Sequence, residues 1–372
     1  MSPKVDRLFL EAAVKLAKHG LYTTTPNPRV GCLLVKQGVV IGRGWHMRDG
    51  EAHAEVAALN DATFQTRGAT AYVSLEPCSF TGRTGACTQA LIEAGIQRVV
   101  VARTDPNPKV SGKGLEALNE AGIETSLIKL ESARELNLGY EQRITSGRPW
   151  VRLKCAISLD GRTAMASGES RWITGVQARA DVQNWRARSC AILTGIGTIL
   201  ADDPELTVRA DEFRRDGRFR QPLRVVLDSQ LRMSEKAKIF SCAGKVRIYC
   251  TTDSATNRAT NKVLSATQAE CVPVDGDPVS LIEVLADLGR KQINEVLVEA
   301  GPRLIGGFIR AGLWDELIVY SAPKFLGSAA QPLAALGLES MSEVIALRAV
   351  EVKQIGADTR TIYRRIDEKN QE

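Results

Sequence analysis

Three potential metal ligands, placed around predicted helix starts, constrain the fold of this chain more than any other feature. His53 and Cys87 each stand where an apolar pattern of helical spacing begins, and Cys78 follows a strand-like run. Residues two apart do not share a helix face, so His53 and Glu55 can serve one pocket only if it lies beyond the helix end. One imidazole and two thiols can hold zinc and leave a fourth position for water. The sequence therefore predicts two helix starts that converge on one zinc ion.

The order of these residues indicates hydrolytic chemistry on an amino-bearing ring. Zinc-dependent base deaminases carry the pattern H-x-E…P-C-x-x-C, in which the glutamate moves protons and does not bind the metal. Here eight residues separate Cys78 from Cys87 instead of two. Zinc with three protein ligands lowers the pKa of its bound water to about 7, and Glu55 would carry that proton to the ring nitrogen and the leaving ammonia. The insert carries Arg83, would hang over the pocket, and suggests a substrate other than cytidine or adenosine.

Other interpretations of the same residues remain open at this point. A structural zinc site usually has four protein ligands, and the only further histidines are His19 and His46, with no other cysteine close in sequence. A buried histidine beside two unrelated cysteines, or a zinc-stabilised binding protein without catalysis, would also fit. A nucleic-acid base deaminase with an RNA-binding second half would require a basic stripe with exposed aromatic residues, and the sequence displays no such stripe.

Length and composition indicate a two-domain cytoplasmic protein. The 372 residues exceed what one hydrophobic core usually serves. No run of about twenty apolar residues occurs, and residues 1–6 lack the apolar core of a signal peptide. In the cytoplasm the six cysteines other than Cys78 and Cys87 are expected to be small buried hydrophobic residues. The net charge of +6 is spread along the chain, so a phosphorylated small molecule explains some arginines as well as nucleic acid would.

Helical and strand-like patterns alternate through both halves and predict two α/β domains. The first half is predicted to contain helices over 6–18, 52–60 and 87–94 and strands over 30–35, 39–42, 69–75 and 99–102, with a smaller helix and strand following through residue 130. The second half is predicted to contain strands over 151–154, 191–194, 223–228, 246–249, 295–299 and 316–320. Residues 146–149 (SGRP) interrupt the pattern and indicate the domain boundary.

Two glycine-rich turns in the second half follow predicted strands and precede helices. They are residues 194–198 (TGIGT) and 299–307 (EAGPRLIGG). Such turns can bring a phosphate close to the backbone, but neither is G-x-G-x-x-G, and packing glycines are the alternative. Arg186 and Arg209 have no nearby carboxylate that obviously claims them. Arginine binds phosphate through paired hydrogen bonds, so both are candidate phosphate ligands, with solvated surface charge as the alternative.

Several motifs together resemble the bacterial bifunctional deaminase–reductases of riboflavin biosynthesis, over a range from about Leu8 to near the C-terminus. In the first half the matching blocks are residues 25–31 (TPNPRVG), 53–56 (HAEV), 75–79 (LEPCS), 82–84 (GRT) and 105–108 (DPNP). In the second half they are 158–164 (SLDGRTA), 167–174 (SGESRWIT), 200–204 (LADDP) and 299–302 (EAGP). The eight-residue gap between the cysteines is itself typical of that family.

The resemblance implies a fold and a set of site residues. The fold is an N-terminal cytidine-deaminase-like three-layer α/β/α domain (1–147) followed by a C-terminal dihydrofolate-reductase-like α/β domain (148–372). One zinc ion per deaminase domain would be bound by His53, Cys78 and Cys87, with Glu55 as the catalytic residue. NADPH would be lined by Ala156, Trp172, Thr198, Asp202, Ser229, Gly301, Pro302, Arg303, Leu304, Ile305, Gly306 and Gly307. The substrates would be held by Asn27, His46, Ser170, Arg186, Leu206, Arg209 and Glu299.

The resemblance also implies two consecutive reactions. The first is hydrolytic deamination of 2,5-diamino-6-(5-phosphoribosylamino)pyrimidin-4(3H)-one, and the second is NADPH-dependent reduction of the ribosyl chain of 5-amino-6-(5-phosphoribosylamino)uracil to the ribityl product. Lys154 and Glu299 are both candidates for proton handling in the reduction. The expected partners are small phosphorylated pyrimidines and further copies of the chain, as a dimer or tetramer, with no nucleic acid and no membrane.

Two residues carry a second interpretation, and two dipeptides depart from the family. Taken alone, Asn27 before a proline indicates a turn residue, and Trp172 would fit a hydrophobic core. Members of the family commonly have two histidines and a double proline within the insert, where this chain has Phe80-Thr81 and Gly85-Ala86. This difference leaves the predicted zinc ligands untouched and concerns only contacts to the substrate or packing of the loop.

Overall fold

The computed structural model describes residues 2–62, 65–80, 85–108, 110–214, 219–256 and 267–366. The chain divides into two compact units, Met1–Gly147 and Arg148–Glu372. The division falls inside the interruption at residues 146–149. Among the described residues, no helix has both the length and the apolarity needed to cross a bilayer.

The first unit is built from one five-stranded sheet and six helices in the described ranges. The strands are β1 (Gly31–Lys36), β2 (Val39–Trp45), β3 (Thr70–Val73), β4 (Arg98–Val101) and β5 (Glu124–Leu127). The helices are α1 (Pro3–Ala17), α2 (Ala54–Asp61), α3 (Cys87–Glu93), α4 (Lys113–Glu120), α5 (Glu131–Leu136) and α6 (Leu138–Ser146). The sheet order is β2-β1-β3-β4-β5, in which β3, β4 and β5 run parallel and β1 pairs antiparallel with both neighbours.

Helices cover both faces of this sheet because successive side chains of a strand point to opposite sides. Leu33 and Val35 of β1 pack with Leu10 and Val14 of α1 on one face. Cys32 and Leu34 of β1 pack with residues of α2, α3 and α4 on the other face. The predicted three-layer α/β/α arrangement of the first domain is therefore confirmed.

The second unit is built around a nine-stranded sheet. The eleven strands described in this unit, two of which (β7 and β14) form a separate pair, are β6 (Trp150–Ser158), β7 (Arg162–Ala164), β8 (Ala191–Gly195), β9 (Leu223–Leu227), β10 (Val246–Thr251), β11 (Glu270–Val274), β12 (Glu295–Glu299), β13 (Glu316–Ala322), β14 (Gln331–Pro332), β15 (Leu347–Ile355) and β16 (Asp358–Arg365). Its helices are α7 (Val176–Arg188), α8 (Ile196–Asp202), α9 (Lys238–Ser241), α10 (Thr252–Thr256), α11 (Leu281–Arg290) and α12 (Pro302–Arg310). Single turns of 3₁₀ helix occur at Lys18–Gly20, Asp211–Phe213 and Met341–Glu343.

The strand order of the large sheet is β11-β10-β9-β8-β12-β6-β13-β16-β15, and the separate pair is β14-β7. The seven strands from β11 to β13 run parallel, and β16 and β15 add an antiparallel edge. The chain progresses from β8 outward to β11 and then returns to place β12 between β8 and β6. Such a reversal leaves a crevice at the carboxyl ends of the strands, where open α/β sheets bind ligands.

Two hydrophobic clusters lie on opposite faces of this sheet. One joins the strands to α11 and α12, and the other joins them to α7 and α8. At the amino ends of the strands, Arg152 is 1% exposed and bonds Glu295 at 2.8 Å and Glu316 at 2.5 Å. Arg364 of β16 also bonds Glu316, at 2.7 Å. These buried ion pairs link the antiparallel edge to the centre of the sheet.

The predicted fold class is confirmed, but the sequence patterns missed five strands of the second unit, namely β7, β11, β14, β15 and β16. No strand was predicted after residue 320, yet β15 and β16 form a hairpin there. Almost every residue of β15 is exposed, so its side chains lack the alternation of apolar and polar positions that signals a half-buried strand.

Candidate functional site

The three predicted metal ligands converge in the first unit. His53 is the residue preceding α2, Cys87 is the first residue of α3, and Cys78 lies on the connection after β3. His53 Nδ1 lies 3.2 Å from Cys87 Sγ and 3.6 Å from Cys78 Sγ. All three ligand atoms lie within 4.8 Å of one another. Two helix starts thus meet at one point, as the spacing predicts.

The donor set and its geometry fit a zinc ion. Zinc bonds of about 2.3 Å to sulfur and 2.0–2.1 Å to nitrogen, at tetrahedral angles, separate nitrogen from sulfur by about 3.6 Å. The observed separation of 3.6 Å from Cys78 equals that value, and the separation of 3.2 Å from Cys87 is 0.4 Å shorter. Among the described residues no other group of three histidine, cysteine or acidic side chains has this geometry. Three protein ligands leave one position for water, which is the arrangement of catalytic zinc sites.

Glu76 holds the segment that carries Cys78. Its side chain is 4% exposed and accepts hydrogen bonds from the backbone N–H groups of Asp105 at 3.1 Å, Gly112 at 3.0 Å and Gly114 at 2.9 Å. Gly112 and Gly114 belong to the start of α4, so the carboxylate also faces the positive end of that helix. The Cys78 carbonyl oxygen accepts from Thr88 N–H at 3.2 Å. The ligand segment is therefore fastened to α4 on one side and to α3 on the other.

Protonation within the triad is coupled. The hydrogen bond from Cys87, with help from His53, lowers the pKa of the Cys78 thiol well below its ordinary value. The same shared hydrogen bond, together with burial, raises the pKa of Cys87. The hydrogen bond with Cys78 raises the pKa of His53. The metal-free triad therefore holds protons that a bound metal ion must displace, because zinc binds thiolate and neutral imidazole.

Glu55 lies in the first turn of α2, beside the metal ligands. It is 3% exposed, and burial raises its pKa to about 7, with a further contribution from the negative charge of Cys78. A carboxyl group with a pKa near neutrality can both accept and donate a proton at physiological pH. Glu55 is thus well suited to move protons at this site.

The structure brings the two substrate-contact candidates of the first unit together. Asn27 is half-buried, and its Nδ2 lies 3.1 Å from His46 Nε2. His46 is 2% exposed, and its Nδ1 lies 3.1 Å from the Ala52 carbonyl oxygen. Both ring nitrogens of His46 have protein partners, and its direct contact with the substrate stays a prediction. The Asn27 backbone N–H donates to the Thr24 carbonyl oxygen at 2.9 Å, as in a turn, while its side chain contacts His46, whose ring packs against that of His53.

The insert between the cysteines is described only in part. Phe80 is 42% exposed, and Gly85 and Ala86 precede α3. Thr81 and Arg83 lie outside the described residues. The prediction that the insert with Arg83 hangs over the pocket therefore stays a prediction.

In the second unit the two glycine-rich turns lie side by side at the carboxyl ends of neighbouring strands. Gly195 ends β8 and Gly301 follows β12, and a Cβ atom at Gly195 would lie 3.3 Å from Leu304 Cδ2. A Cβ at Gly197 or Gly301 would have no atom within 4 Å. Open space over two helix starts fits the close approach of a phosphate-bearing cofactor such as NADPH.

Most of the predicted cofactor residues lie around this edge, whereas two are packed inside. Ala156 is near the carboxyl end of β6, Thr198 and Asp202 lie in α8, and Ser229 follows β9. Pro302 and Arg303 begin α12, and Gly307 lies further along it. Ile305 is fully buried in the hydrophobic core. A Cβ at Gly306 would collide with the Ala335 backbone, so this glycine serves helix packing.

Trp172 is 62% exposed and therefore does not belong to a core. The Arg179 guanidinium lies 4.3 Å from the centroid of its ring, and the Arg171 guanidinium lies 5.7 Å away. Arg171 also donates to the Asp202 carbonyl oxygen at 2.6 Å. The segment with Trp172 and the half-buried Ser170 is thus tied to the end of α8.

Both candidate phosphate-binding arginines have carboxylate partners, so the expectation of unclaimed arginines was wrong. Arg186 forms a two-pronged ion pair with Glu299, at 2.6 and 2.9 Å. Arg209 is exposed and pairs with Glu205 at 2.9 Å. Glu299 is 113 residues away from Arg186 in sequence, whereas Glu205 is only four residues before Arg209 and does not lie in a helix. Adjacency in sequence could not reveal the first pair, and the second was overlooked.

Three cationic side chains lie near the carboxylate of Glu299. Burial alone would raise its pKa, but Arg186 and, more weakly, Lys154 and Arg209 lower it. Lys154 stands opposite Glu299 in the register of β6 and β12. Leu206, buried and with φ of +52°, lies in the neighbouring loop, whose Thr207 carbonyl accepts from Arg186 at 3.2 Å. Among the predicted substrate residues, Arg186, Arg209 and Glu299 therefore form one charged cluster with Lys154, and Leu206 lies in the loop beside it.

Two family profiles match this chain. Residues 3–103 match the cytidine and deoxycytidylate deaminase zinc-binding region. Residues 149–361 match the RibD C-terminal domain. The two matches fall in the first and second compact units, respectively.

Similarity to individual proteins extends over nearly the whole chain. It is 46% identical to the riboflavin biosynthesis protein RibD of Escherichia coli over 362 residues, which cover 95% of this chain and 97% of that protein. The solved structure of Acinetobacter baumannii RibD superimposes with a TM-score of 0.90 at 42% identity, covering 98% of this chain and 99% of that one. The Thermotoga maritima structure described as a diaminohydroxyphosphoribosylaminopyrimidine deaminase/5-amino-6-(5-phosphoribosylamino)uracil reductase gives a TM-score of 0.86 at 32% identity, with coverages of 98% and 99%.

Fold and site together define a two-domain protein in which a zinc-dependent deaminase precedes an α/β reductase. The protein is thus both a hydrolase and an oxidoreductase, with zinc and NADPH as its cofactors. The chain belongs to the RibD family of riboflavin biosynthesis proteins.

Proposed function

We propose that the first unit hydrolyses the exocyclic amine of 2,5-diamino-6-(5-phosphoribosylamino)pyrimidin-4(3H)-one. We further propose that the second unit reduces the ribosyl chain of the deaminated product to a ribityl chain. The observation that carries the first assignment is the meeting of His53, Cys78 and Cys87 at one point, with the buried Glu55 beside them. Both activities are those of the family to which the chain belongs.

In the deamination, His53, Cys78 and Cys87 would hold zinc. Bound zinc supplies a water molecule whose pKa is lowered towards about 7. Glu55, whose pKa of about 7 allows both protonation states, accepts a proton at the start and donates protons to the ring nitrogen and the departing amine. Its position in the first turn of α2 fixes the carboxyl group next to the ligands.

In the reduction, the backbone at Gly197 and Gly301 would approach the phosphates of NADPH, and the residues at this edge would line the cofactor. NADPH supplies the hydride. Arg186 and Arg209 present positive charge beside the carboxylate of Glu299, which suits a phosphorylated substrate with hydroxyl or amine donors. Lys154 faces the same cluster, so Lys154 and Glu299 are both positioned to handle a proton.

The first experiment separates the two activities in the intact protein. Glu55→Gln should retain one zinc per chain and lose ammonia release, because an amide cannot carry the proton. The same variant should oxidise NADPH normally when it receives the deaminated intermediate. Retained ammonia release would remove Glu55 from the mechanism. Absence of NADPH oxidation by the wild-type protein with that intermediate would overturn the assignment of the second unit.

We also infer that the protein self-associates and works in the cytoplasm. The long edge strand β15 is exposed along nearly its whole length, and an open strand edge favours pairing with a further copy. None of the eight cysteines forms a disulfide, which agrees with a reducing compartment. Light scattering of the purified protein tests the first inference, since a monomer at micromolar concentration would contradict it, and cell fractionation tests the second.

A further inference from the structure

Asn27, His46 and Asp49 form a hydrogen-bonded chain beside the predicted metal ligands. The amide nitrogen of Asn27 lies 3.1 Å from His46 Nε2 and 3.2 Å from Asp49 Oδ1. The other ring nitrogen of His46 lies 3.1 Å from the Ala52 carbonyl oxygen. The His46 and His53 rings meet edge to face, with their centroids 5.2 Å apart. The chain thus reaches from an exposed loop to the edge of the metal site.

The carboxylate of Asp49 determines which way the Asn27 amide points. A carboxylate accepts hydrogen bonds and donates none, so the NH₂ group of the amide must face it. The opposite orientation would place two acceptor oxygens against each other. The second N–H of the same nitrogen then points at His46 Nε2, which must therefore be an acceptor.

The tautomer of His46 follows from this orientation. With Nε2 as an acceptor, the ring proton resides on Nδ1, where it is donated to the carbonyl oxygen of Ala52. That carbonyl accepts but cannot donate, so both ends of the chain require the same arrangement. Three hydrogen bonds therefore fix one another.

One polar atom of the chain remains available to a ligand. Both N–H groups of Asn27 are used, whereas its Oδ1 accepts no hydrogen bond from any described residue. Asn27 is half-buried, and His46 is 2% exposed. The group offered to a ligand is therefore the Asn27 carbonyl oxygen and not the imidazole.

We propose that Asp49 and His46 are positioning residues, which hold the Asn27 amide so that Oδ1 accepts a hydrogen bond from the pyrimidine substrate. The recognised group is a hydrogen-bond donor, either an amine or N–H of the aminopyrimidine or a hydroxyl of its ribosyl chain. The proposal rests on the proposed deamination and adds a determinant of substrate affinity outside the metal ligands. Asp49 acts through Asn27 and has no contact with the reacting atoms in this scheme.

The kinetic test compares Asp49→Ala with Glu51→Gln in the full-length protein. Glu51 lies on the same loop and pairs with Arg48 at 3.8 Å, not with Asn27, so its variant removes an equal charge without breaking the chain. Asp49→Ala should raise the KM for the pyrimidine substrate roughly tenfold, the value of one hydrogen bond of ordinary strength. Its kcat and zinc content should match those of the wild type, and Glu51→Gln should resemble the wild type in all three. An unchanged KM in Asp49→Ala, or an equal rise in Glu51→Gln, would overturn the proposal.

A reciprocal pair of variants tests the direction of the hydrogen bond. Asn27→Asp places two carboxylates opposite each other and should lose most substrate affinity. Adding Asp49→Asn returns an N–H donor to the pair and should restore part of that loss. If the double variant is no better than Asn27→Asp alone, Asp49 does not act through Asn27.

A spectroscopic measurement tests the hydrogen-bonded chain independently of enzyme activity. The protein has three histidines, so long-range ¹H–¹⁵N spectra of histidine-labelled protein resolve each ring, and His46→Gln identifies the relevant signal. The wild type at pH 7.5 should show His46 as the neutral Nδ1–H tautomer. An Nε2–H tautomer would refute the hydrogen-bonded chain of Asn27, His46 and Asp49, even in a protein without deaminase activity. Failure of the wild type to release ammonia, with the Nδ1–H tautomer present, would instead refute the proposed function.

Discussion

Replacement of Glu76 should show how strongly the Cys78 segment depends on one buried carboxylate. The side chain accepts hydrogen bonds from backbone N–H groups of Asp105, Gly112, Gly114 and, at 3.4 Å, Leu115. These donors come from the connection between β4 and α4 and from the first turn of α4. In Glu76→Ala they lose their common acceptor, and the connection that carries the metal ligand loses its anchor.

The magnitude follows from which of these donors are buried. The Asp105 and Gly114 N–H groups form their hydrogen bonds in buried surroundings, whereas those of Gly112 and Leu115 are partly buried. A buried donor without a partner costs about 1–3 kcal/mol, so two of them give about 4 kcal/mol for Glu76→Ala. Glu76→Gln keeps one acceptor oxygen but turns an NH₂ group towards two N–H donors, and we expect about 2 kcal/mol. Because residues behind metal ligands commonly contribute 10–100-fold in affinity, the zinc Kd should rise at least about tenfold in both variants.

The assay is chelator competition for zinc together with urea unfolding of the full-length protein. Glu116→Gln is the matched control, because Glu116 is an exposed acidic residue in the first turn of the same helix. It removes a charge from the helix start without touching the Cys78 segment. If Glu76→Ala binds zinc as tightly as Glu116→Gln and unfolds at the same urea concentration, the reasoning about the anchor is wrong.

Three further predictions concern the charged groups. Arg186→Lys should raise the KM of the reduction about tenfold, because lysine cannot keep the two-pronged contact with Glu299; steady-state NADPH oxidation measures this, and an unchanged KM would contradict it. Burial would raise the pKa of Glu316, but Arg152 and its neighbours hold it at about 2, below the ordinary value of about 4.3. The stabilisation from Glu316 is therefore present above about pH 4.3 and lost as the pH falls towards 2. Glu316→Gln should lower the free energy of unfolding by about 3 kcal/mol at pH 7. Urea unfolding at pH 3 should show a smaller difference between this variant and the wild type. Zinc binding to the metal-free protein should release protons, because the neighbouring Cys78 thiol raises the pKa of His53. Calorimetry in buffers of different ionisation enthalpy measures this release, and its absence would contradict the prediction.

The sequence by itself determined the α/β class of both halves and predicted the three metal ligands. Strand and helix periods are local properties, because burial of one face imposes them residue by residue. The placement of His53 and Cys87 at helix starts is also a local pattern, so their convergence with Cys78 could be predicted from spacing. The exposed strand β15 escaped prediction because neither of its faces carries the pattern that burial produces.

Only the tertiary structure decided how the polar side chains are partnered. Arg186 meets Glu299 across 113 residues of sequence, and His46 proved to have both ring nitrogens occupied. Glu76 was visible in its motif, but its role depends on backbone donors 29 to 39 residues further along. A hydrogen bond depends on direction and on distances of about 3 Å, and neither is encoded in local periodicity. Such contacts exist only after the strands have set the loops beside one another, which is why the sequence identified the metal ligands but not the residues that hold them and their neighbours in place.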